Sequence, residues 1–310
     1  MNEIKTNRVI GARGIGVYNS NLNAAFDSYP KMLVDGTFMN SDVCTKYADR
    51  MFWRNIGQKV LIQKMLKTDK DGNLYAATQE EIIAEKVIDK KRPNLEILNE
   101  FIDVQNFGAT IATKGISLGT TGVVQYTQGI NKLKNSSVIV QDIISSYGTG
   151  GNKKKKDDEK VSTATNIGKH IFVDKALYVQ SFVVNPINLN SLQSVFGDDF
   201  VGYKKESYEL FKKAVLCSIT LQSSRTKEGC CDDFAIFINL KEDSYYALNN
   251  IQRFIEVEEE TNKNIIDFTP LDFLNEIEDV ENIEIFYNSK NCEIKHNFKN
   301  VTIKDTLKGF

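Results

Sequence analysis

The residues whose types and spacing could do chemistry gather between Asp35 and Trp53, DGTFMNSDVCTKYADRMFW. Asp35-Gly36 supplies tight-turn chemistry, Thr37-Phe38-Met39 can pair as a short strand, and Asn40 or Ser41 can accept a hydrogen bond from the first amides of a helix. On that helix Val43, Cys44, Tyr47, Ala48, Met51 and Phe52 recur at helical spacing and are expected to face a core. Thr45, Lys46, Asp49, Arg50 and Trp53 fall on the other half, which places Lys46, Arg50 and Trp53 together beside a helix start. Unpaired amides and the positive end of a helix dipole suit a phosphate. The chemistry offered is therefore binding of a nucleic-acid backbone. The same Lys and Arg also read as the solvated face of an amphipathic helix.

Elsewhere the means for catalysis or metal binding are thin. His170 and His296 are the only imidazoles, and no H-E-x-x-H or two-His cluster exists. Cys44, Cys217, Cys230, Cys231 and Cys292 are odd in number and lack paired metal spacing, so they read as reduced thiols of a cytosolic protein. No catalytic residue, metal or cofactor is expected. Within Asn7 to Tyr18 the run GARGIG misses the dinucleotide fingerprint, because turn-rich NSNLNAAFDSYPK follows it and not a helix. Asn19, Asn21 and Asn23 in that loop could bond sugar hydroxyls or phosphates, or serve only as turn formers. In LQSSRTKEGCC, Arg225 and Lys227 stand among small residues and Gly229, where backbone could approach a ligand closely.

Composition narrows the binding mode. With 39 basic against 41 acidic residues the formal charge is −2, so the chain does not coat nucleic acid through bulk charge. Ile251 to Lys290 holds 11 acidic and 3 basic residues, whereas the first helix and Tyr203 to Cys230 lean basic, which leaves a polarised surface. Hydrophobic content of 41% and charged content of 26% are globular values that exclude disorder throughout. No run approaches the roughly 18 apolar residues of a membrane span, so a cytoplasmic location is expected.

The elements that must position these residues follow from periodicity. Asn7 to Tyr18 is expected as a strand bent by close backbone approaches at its glycines. TQEEIIAEKVIDKKRPNLEIL reads as a helix capped at Thr78, with Lys90, Lys91 and Arg92 at its end and Pro93 as its stop. The KKR run is then a solvated helix end or a nucleic-acid contact. Phe107 to Tyr126 suits strands separated by bends; Val138 to Ser145, His170 to Val184 and Phe234 to Leu240 read as strands, the last central in a sheet. Tyr203 to Leu216 reads as a second amphipathic helix. SYGTGGNKKKKDDEKVSTATNIGKH lacks apolar residues to bury, so a flexible loop or projecting hairpin is expected, with Lys153 to Lys156 either solubilising or touching phosphate. The last third reads as acidic pieces and a final hairpin around EIKHNFKNVTIK.

The order of strand, helix, inserted piece, strands, projecting loop, strand, helix and strand gives a split β-α-β-β-α-β plan. The expected fold class is α+β, a ferredoxin-like or RRM-like core with large insertions. The boundaries place the core at 1–57, an inserted segment at 58–105, central strands at 106–137, a flexible hairpin or loop at 138–172, the core again at 173–250 and an acidic extension at 251–310. Aromatic signatures of a free-standing RRM are absent, so any RNA is held in another way.

Taken together, NSNLNAAFDSYPKMLVDGTFMNSDVCTKYADRMFW, FGATIATKGISLGTTGVVQY, GKHIFVDKALYV and SSRTKEG resemble the backbone subunit of type I CRISPR interference complexes, with type I-B the expected subtype. The resemblance spans about residues 7 to 240. It implies a crRNA-binding subunit of Cascade that polymerises head-to-tail along guide RNA, beside other Cascade subunits, and presents the guide to a target DNA strand. Matched by position, the resemblance implies that Ser41, Lys46 and Arg50 grip phosphate, that the loop Arg225 to Gly229 completes the RNA groove, that the core is a palm, 58–105 a finger and 138–172 the thumb. The candidate RNA-binding residues are then Asn19, Asn21, Asn23, Lys31, Ser41, Lys46, Arg50, Lys169, His170, Arg225 and Lys227. Cys44 and Tyr47 stand where the family's helix is more basic. Many copies each neutralising a few phosphates would bind cooperatively and in a salt-sensitive way. The alternative is an endoribonuclease of the type III kind using Asp27 or Asp35, and a metabolic enzyme of ferredoxin-like fold has the least support.

Overall fold

The computed structural model describes residues 3–148, 165–261 and 263–309. The chain begins with β1 (Val9–Ser20), β2 (Met39–Asn40) and α1 (Asp42–Asn55). Then come β3 (Leu66–Thr68), β4 (Leu74–Ala76), α2 (Gln79–Lys86), α3 (Pro93–Glu100) and α4 (Ile102–Phe107). β5 (Gly108–Thr113), β6 (Ile116–Thr121), β7 (Val124–Tyr126), β8 (Gly129–Asn131), β9 (Val138–Gly148) and β10 (Thr165–Val184) follow. The remainder holds α5 (Asn190–Phe196), α6 (Lys205–Cys217), β11 (Cys230–Leu240), β12 (Glu256–Glu259), β13 (Asn264–Asp267), β14 (Val280–Tyr287), β15 (Cys292–Lys295) and β16 (Val301–Asp305).

One large sheet organises the molecule, in the order β16-β14-β11-β1-β10-β8-β2, with β7 and β9 also paired to β10. β1 lies antiparallel between β10 and β11, in register from Val9↔Val184 and Val9↔Asn239. The chain leaves β1 through α1 and reaches β7, β8 and β9 on the far side of β10. From β10 it passes through α5 and α6 to β11 on the far side of β1. Both crossovers are thus split by an intervening strand, which is the β-α-β-β-α-β order read from the sequence.

Both faces of the sheet centre are covered. Trp53, Phe101, Phe107, Phe182, Phe211 and Phe237 pack on the side of α1, α4 and α6. Ile10, Leu177, Ile236, Ile251, Ile255 and Phe268 pack on the other. A strand buried on both faces needs apolar residues at every position and not at alternate ones, and Phe234 to Leu240 of β11 is wholly buried. The glycines of β1 make room for side chains crossing them: a Cβ on Gly14 would collide with the Phe234 ring, at the point where the β1–β11 register shifts.

Three expectations are corrected. α1 is turned about its axis relative to the apolar stripe: Thr45, Ala48, Asp49 and Trp53 are buried, whereas Val43 is 68% and Tyr47 52% exposed. The cause is a polar demand inside the core. Arg13 of β1 is fully buried and takes Asp49 as partner, and the Trp53 indole Nε1 donates to the Leu210 carbonyl at 3.0 Å. Second, the helix starting at Thr78 has its capping box, with Glu81 N donating to Thr78 Oγ1 at 3.3 Å and Thr78 N to the Glu81 carboxylate at 2.8 Å. It ends at Lys86, however, and Pro93 opens α3, where its fixed φ and missing N–H are tolerated. The Lys90-Lys91-Arg92 run is therefore a turn held by Asp89, whose carboxylate accepts from Lys91 N and Arg92 N at 2.9 and 3.0 Å. Third, the chain does not end in a hairpin around EIKHNFKNVTIK. β14 pairs with β11, β16 lies parallel to β14, and β15 lies parallel to β13, so the expected final hairpin is replaced by two parallel pairings.

β9 and β10 pair antiparallel from Val138↔Val173 to Gly148↔Thr165. The Lys153 to Lys156 run lies outside the described residues.

Candidate nucleic-acid interface

The chain leaves β1 at Ser20 and runs through a polar loop to β2 and α1, and the end of β1 is also met by the loop between α6 and β11. Asn19 takes a left-handed conformation, φ 48°, so its turn role is fulfilled without a ligand. Asn21 is buried; its amide donates to the carbonyls of Ser28 at 3.2 Å and Ile171 at 3.4 Å, and its Oδ1 has no partner among the described residues. Asn23 reaches the helix start, donating from Nδ2 to Ser41 Oγ at 2.9 Å. Ser41 in turn accepts from Cys44 N at 3.3 Å as the N-cap of α1. Lys31 donates from its backbone to the Asn23 carbonyl at 3.0 Å. Asp27 and Asp35 accept from Tyr29 N and Thr37 N at 3.0 and 2.9 Å, which accounts for both as turn formers.

The second loop closes on the first. Asn21 N donates to the Thr226 carbonyl at 3.0 Å and Tyr18 N to the Gly229 carbonyl at 2.8 Å. Lys227 Nζ donates to the carbonyls of Asn21, at 2.9 Å, and Leu22. Glycine is required at 229 because a Cβ there would run into the Tyr18 carbonyl. The close approach expected at Gly229 is thus to the chain's own strand. Arg225 is exposed near His170 of β10, and burial first, then the Arg225 charge, lowers the His170 pKa. Lys169 is exposed next to it. Burial raises the Cys44 thiol pKa, against the opposing charges of Lys227 and Lys31.

Asn21, Asn23, Lys31, Ser41, Arg225 and Lys227 are therefore brought to one rim, with Lys169 and His170 beside it. Lys46 and Arg50 are not on a free outer face. Lys46 bonds Asp42 at 2.9 Å and lies 5.7 Å from the centre of the Phe107 ring. Arg50 Nε bonds the buried Asp103 at 3.2 Å and its guanidinium stacks 5.2 Å from the same ring. Asp103 also accepts from Leu61 N and Ile62 N, each at 2.9 Å, so Arg50 fastens the 58–105 segment to α1. Lys227 is likewise occupied in joining two loops.

The sequence reading missed the cluster beneath the rim. Arg13 bonds Asp49 at 3.2 Å and Asp232 more closely. Ser218 Oγ and Tyr126 OH donate to Asp49 at 2.7 and 2.9 Å, and Ile219 N and Thr220 N donate to Asp232, each at 3.0 Å. Burial alone would lower the Arg13 pKa; Asp232, Tyr126 and Asp49 outweigh it and raise it. β1, α1, α6 and β11 are joined at one point. The available signal was an arginine set between glycines in an otherwise apolar strand.

Among the described residues no group of three or more His, Cys, Asp or Glu is placed to hold a metal ion, and no helix is long and apolar enough to cross a membrane. Fold and rim together define an α+β protein whose mostly antiparallel sheet carries a polar, cation-bearing loop cluster at one end. The chain belongs to the CRISPR-associated protein Cas7 family, whose model matches residues 7–285. No curated protein sequence matches it. A solved chain described as "CRISPR RNA-guided surveillance complex, pre-nicking" is similar in fold at 12% identity and a TM-score of 0.51, with 94% of this chain and 96% of that chain covered. Another, described as "CRISPR RNA-guided surveillance complex", has 13% identity and a TM-score of 0.48 over 90% of this chain and 88% of that chain.

Proposed function

We propose that this chain is the crRNA-binding backbone subunit of a CRISPR RNA-guided surveillance complex, a holding role without catalysis. The observation that carries the reading is the convergence of two sequence-distant loops, 19–31 and 223–229, on the capped start of α1, in a chain of the Cas7 family. In this reading the large sheet is an RRM-like palm, residues 58–105 are the finger and the β9–β10 hairpin is the thumb. Ser41, Asn23, Lys31, Lys169, His170 and Arg225 meet the guide. Asn19, Asn21 and Lys227 shape the loops that present them, and Arg50 holds the finger in place. Copies stack head-to-tail along the RNA, in a complex of type I-B, and the guide pairs with a target DNA strand, so side chains hold the backbone and base pairing reads sequence.

The test is binding of fluorescent single-stranded RNA by the full chain and by Arg225→Glu and Lys31→Glu variants. Affinity lower by about tenfold or more, with a shallower salt dependence, is expected for each, because each removes a cation from the rim. Unchanged affinity and salt slope in both variants would overturn the placement of the RNA.

A further inference from the structure

The turn of α1 that brings Thr45, Ala48, Asp49 and Trp53 inward leaves part of its apolar stripe in solvent: Tyr47 is 52% exposed, and Ile56, just past the helix end, 46%. With Met51 they line one side of a groove of about 520 Å³, within the roughly 300–1,000 Å³ of small-molecule sites. The other side is the loop after α6, with Leu221, Gln222 and Lys227. Both sides are fixed from below. Arg13 holds α1 through Asp49 and the loop through Asp232, whose carboxylate accepts from Ile219 N and Thr220 N. Within the loop, Gln222 N donates to the Ile219 carbonyl at 3.0 Å and Lys227 N to the Ser224 carbonyl at 2.9 Å. The groove is therefore shaped before anything enters it.

Charge, position and an unmet hydrogen bond say what enters. Among the described residues no carboxylate lines the groove, although the chain carries 41 acidic residues, so a polyanion is not repelled. The loop that carries Lys227 belongs to the rim as well, so a strand held on the rim runs past the groove. The side-chain Nε2 of Gln222 is buried without an acceptor among the described residues, a defect that an apolar side chain from a protein partner would leave in place. A nucleobase supplies both missing parts: a π face for the Tyr47 ring and, in each of the four bases, a carbonyl or ring-nitrogen acceptor on its edge.

We propose that the groove takes one unpaired nucleobase of the bound RNA, stacked on Tyr47 against Leu221, with the Gln222 amide turning to meet an acceptor on the base edge. The proposal rests on the RNA-holding role and adds a base contact to its backbone contacts. Because every base has a face and an edge acceptor, the contact accepts any sequence.

The experiment titrates the full-length protein with a fluorescent RNA of about 12 nucleotides and with an abasic ribose-phosphate strand of the same length. Wild type is expected to bind the RNA more tightly than the abasic strand. Tyr47→Ala should lose about tenfold on the RNA and less than about twofold on the abasic strand. Tyr47→Phe keeps the ring and should match wild type on both, which separates stacking from a hydroxyl contact to phosphate. Gln222→Met keeps the side-chain length without the donor and should lose about threefold to tenfold on the RNA alone. Equal losses on both strands, a loss in Tyr47→Phe as large as in Tyr47→Ala, or equal wild-type affinity for the two strands overturns the base contact. So does unchanged RNA affinity in Tyr47→Ala or in Gln222→Met, which would leave the groove to a protein partner. Failure of wild type to bind either strand overturns the underlying functional reading instead.

Discussion

Arg50→Glu separates a free phosphate-gripping side chain from one built into the architecture. The Arg50 side chain is 15% exposed and that of Asp103 is 0% exposed, and their bond ties α1 to the amides of Leu61 and Ile62 through one carboxylate. Reversing the charge leaves Asp103 buried without its cation and adds a second carboxylate beside it. Breaking a buried pair by removing one partner costs about 3–5 kcal/mol, a large share of the roughly 5–15 kcal/mol by which a native protein is stable. With a urea m-value of about 3 kcal/mol/M, the unfolding midpoint should fall by about 1–1.7 M. The assay is urea unfolding of the RNA-free protein, with limited proteolysis to follow release of residues 58–105. Lys46→Glu is the internal control: its i,i+4 pair with Asp42 sits near the surface and its loss should cost only about 0.5 kcal/mol. If Arg50→Glu left the midpoint within about 0.2 M of wild type and resisted protease equally, the fastening role would be wrong and Arg50 would be a free contact.

Arg13→Met should destabilise by about 3–5 kcal/mol, because Asp49 and Asp232 lose their shared cation; thermal unfolding checks it, and a loss under about 1 kcal/mol would mean the carboxylates are satisfied by their other donors. Asp233 is buried, and desolvation raises its pKa to about 6. The folded state then keeps its proton where the unfolded state has lost it, so stability falls as pH rises from about 4 to about 6 and is level above. Asp233→Asn should flatten that fall, by up to about 3 kcal/mol, in urea midpoints taken across pH 4 to 7; an unchanged profile would remove Asp233 as its source. Gly229→Ala should cost about 1–3 kcal/mol and weaken RNA binding, because the loop must retreat from Tyr18; wild-type crystal geometry and affinity would contradict the required close approach.

What could be read in the sequence was governed by local rules. The Asp35-Gly36 turn needs a left-handed residue, and Gly36 supplies φ 84°. Thr78 and Glu81 lie three residues apart and cap each other without help from the rest of the chain. The apolar run Phe234 to Ile238 of β11 announced a strand central in a sheet. The rotation of α1 was hidden because it depends on Arg13, distant in sequence and adjacent only once β1 is in the sheet. Helical periodicity treats Asp49 as a surface residue, and a buried cation makes it a core residue. Parallel pairing of β14 with β16 and of β13 with β15 was hidden for the same reason, since closeness in sequence suggests a hairpin and the sheet edge supplies another partner. Within the rim, the residue types in the two loops were legible, but which lysines remain available was not. Lys227 is consumed by the carbonyls of Asn21 and Leu22, and Arg50 by Asp103.

The most direct measurement is equilibrium binding of single-stranded RNA to the purified full chain over a range of salt concentrations, with any co-purifying nucleic acid identified by nuclease digestion. Binding should be cooperative on long RNA, its affinity should fall linearly in log–log form with salt, and any co-purified nucleic acid should be destroyed by ribonuclease. A chain free of bound ribonucleotide that also fails to bind added RNA at low ionic strength would contradict its role as a guide-holding backbone subunit.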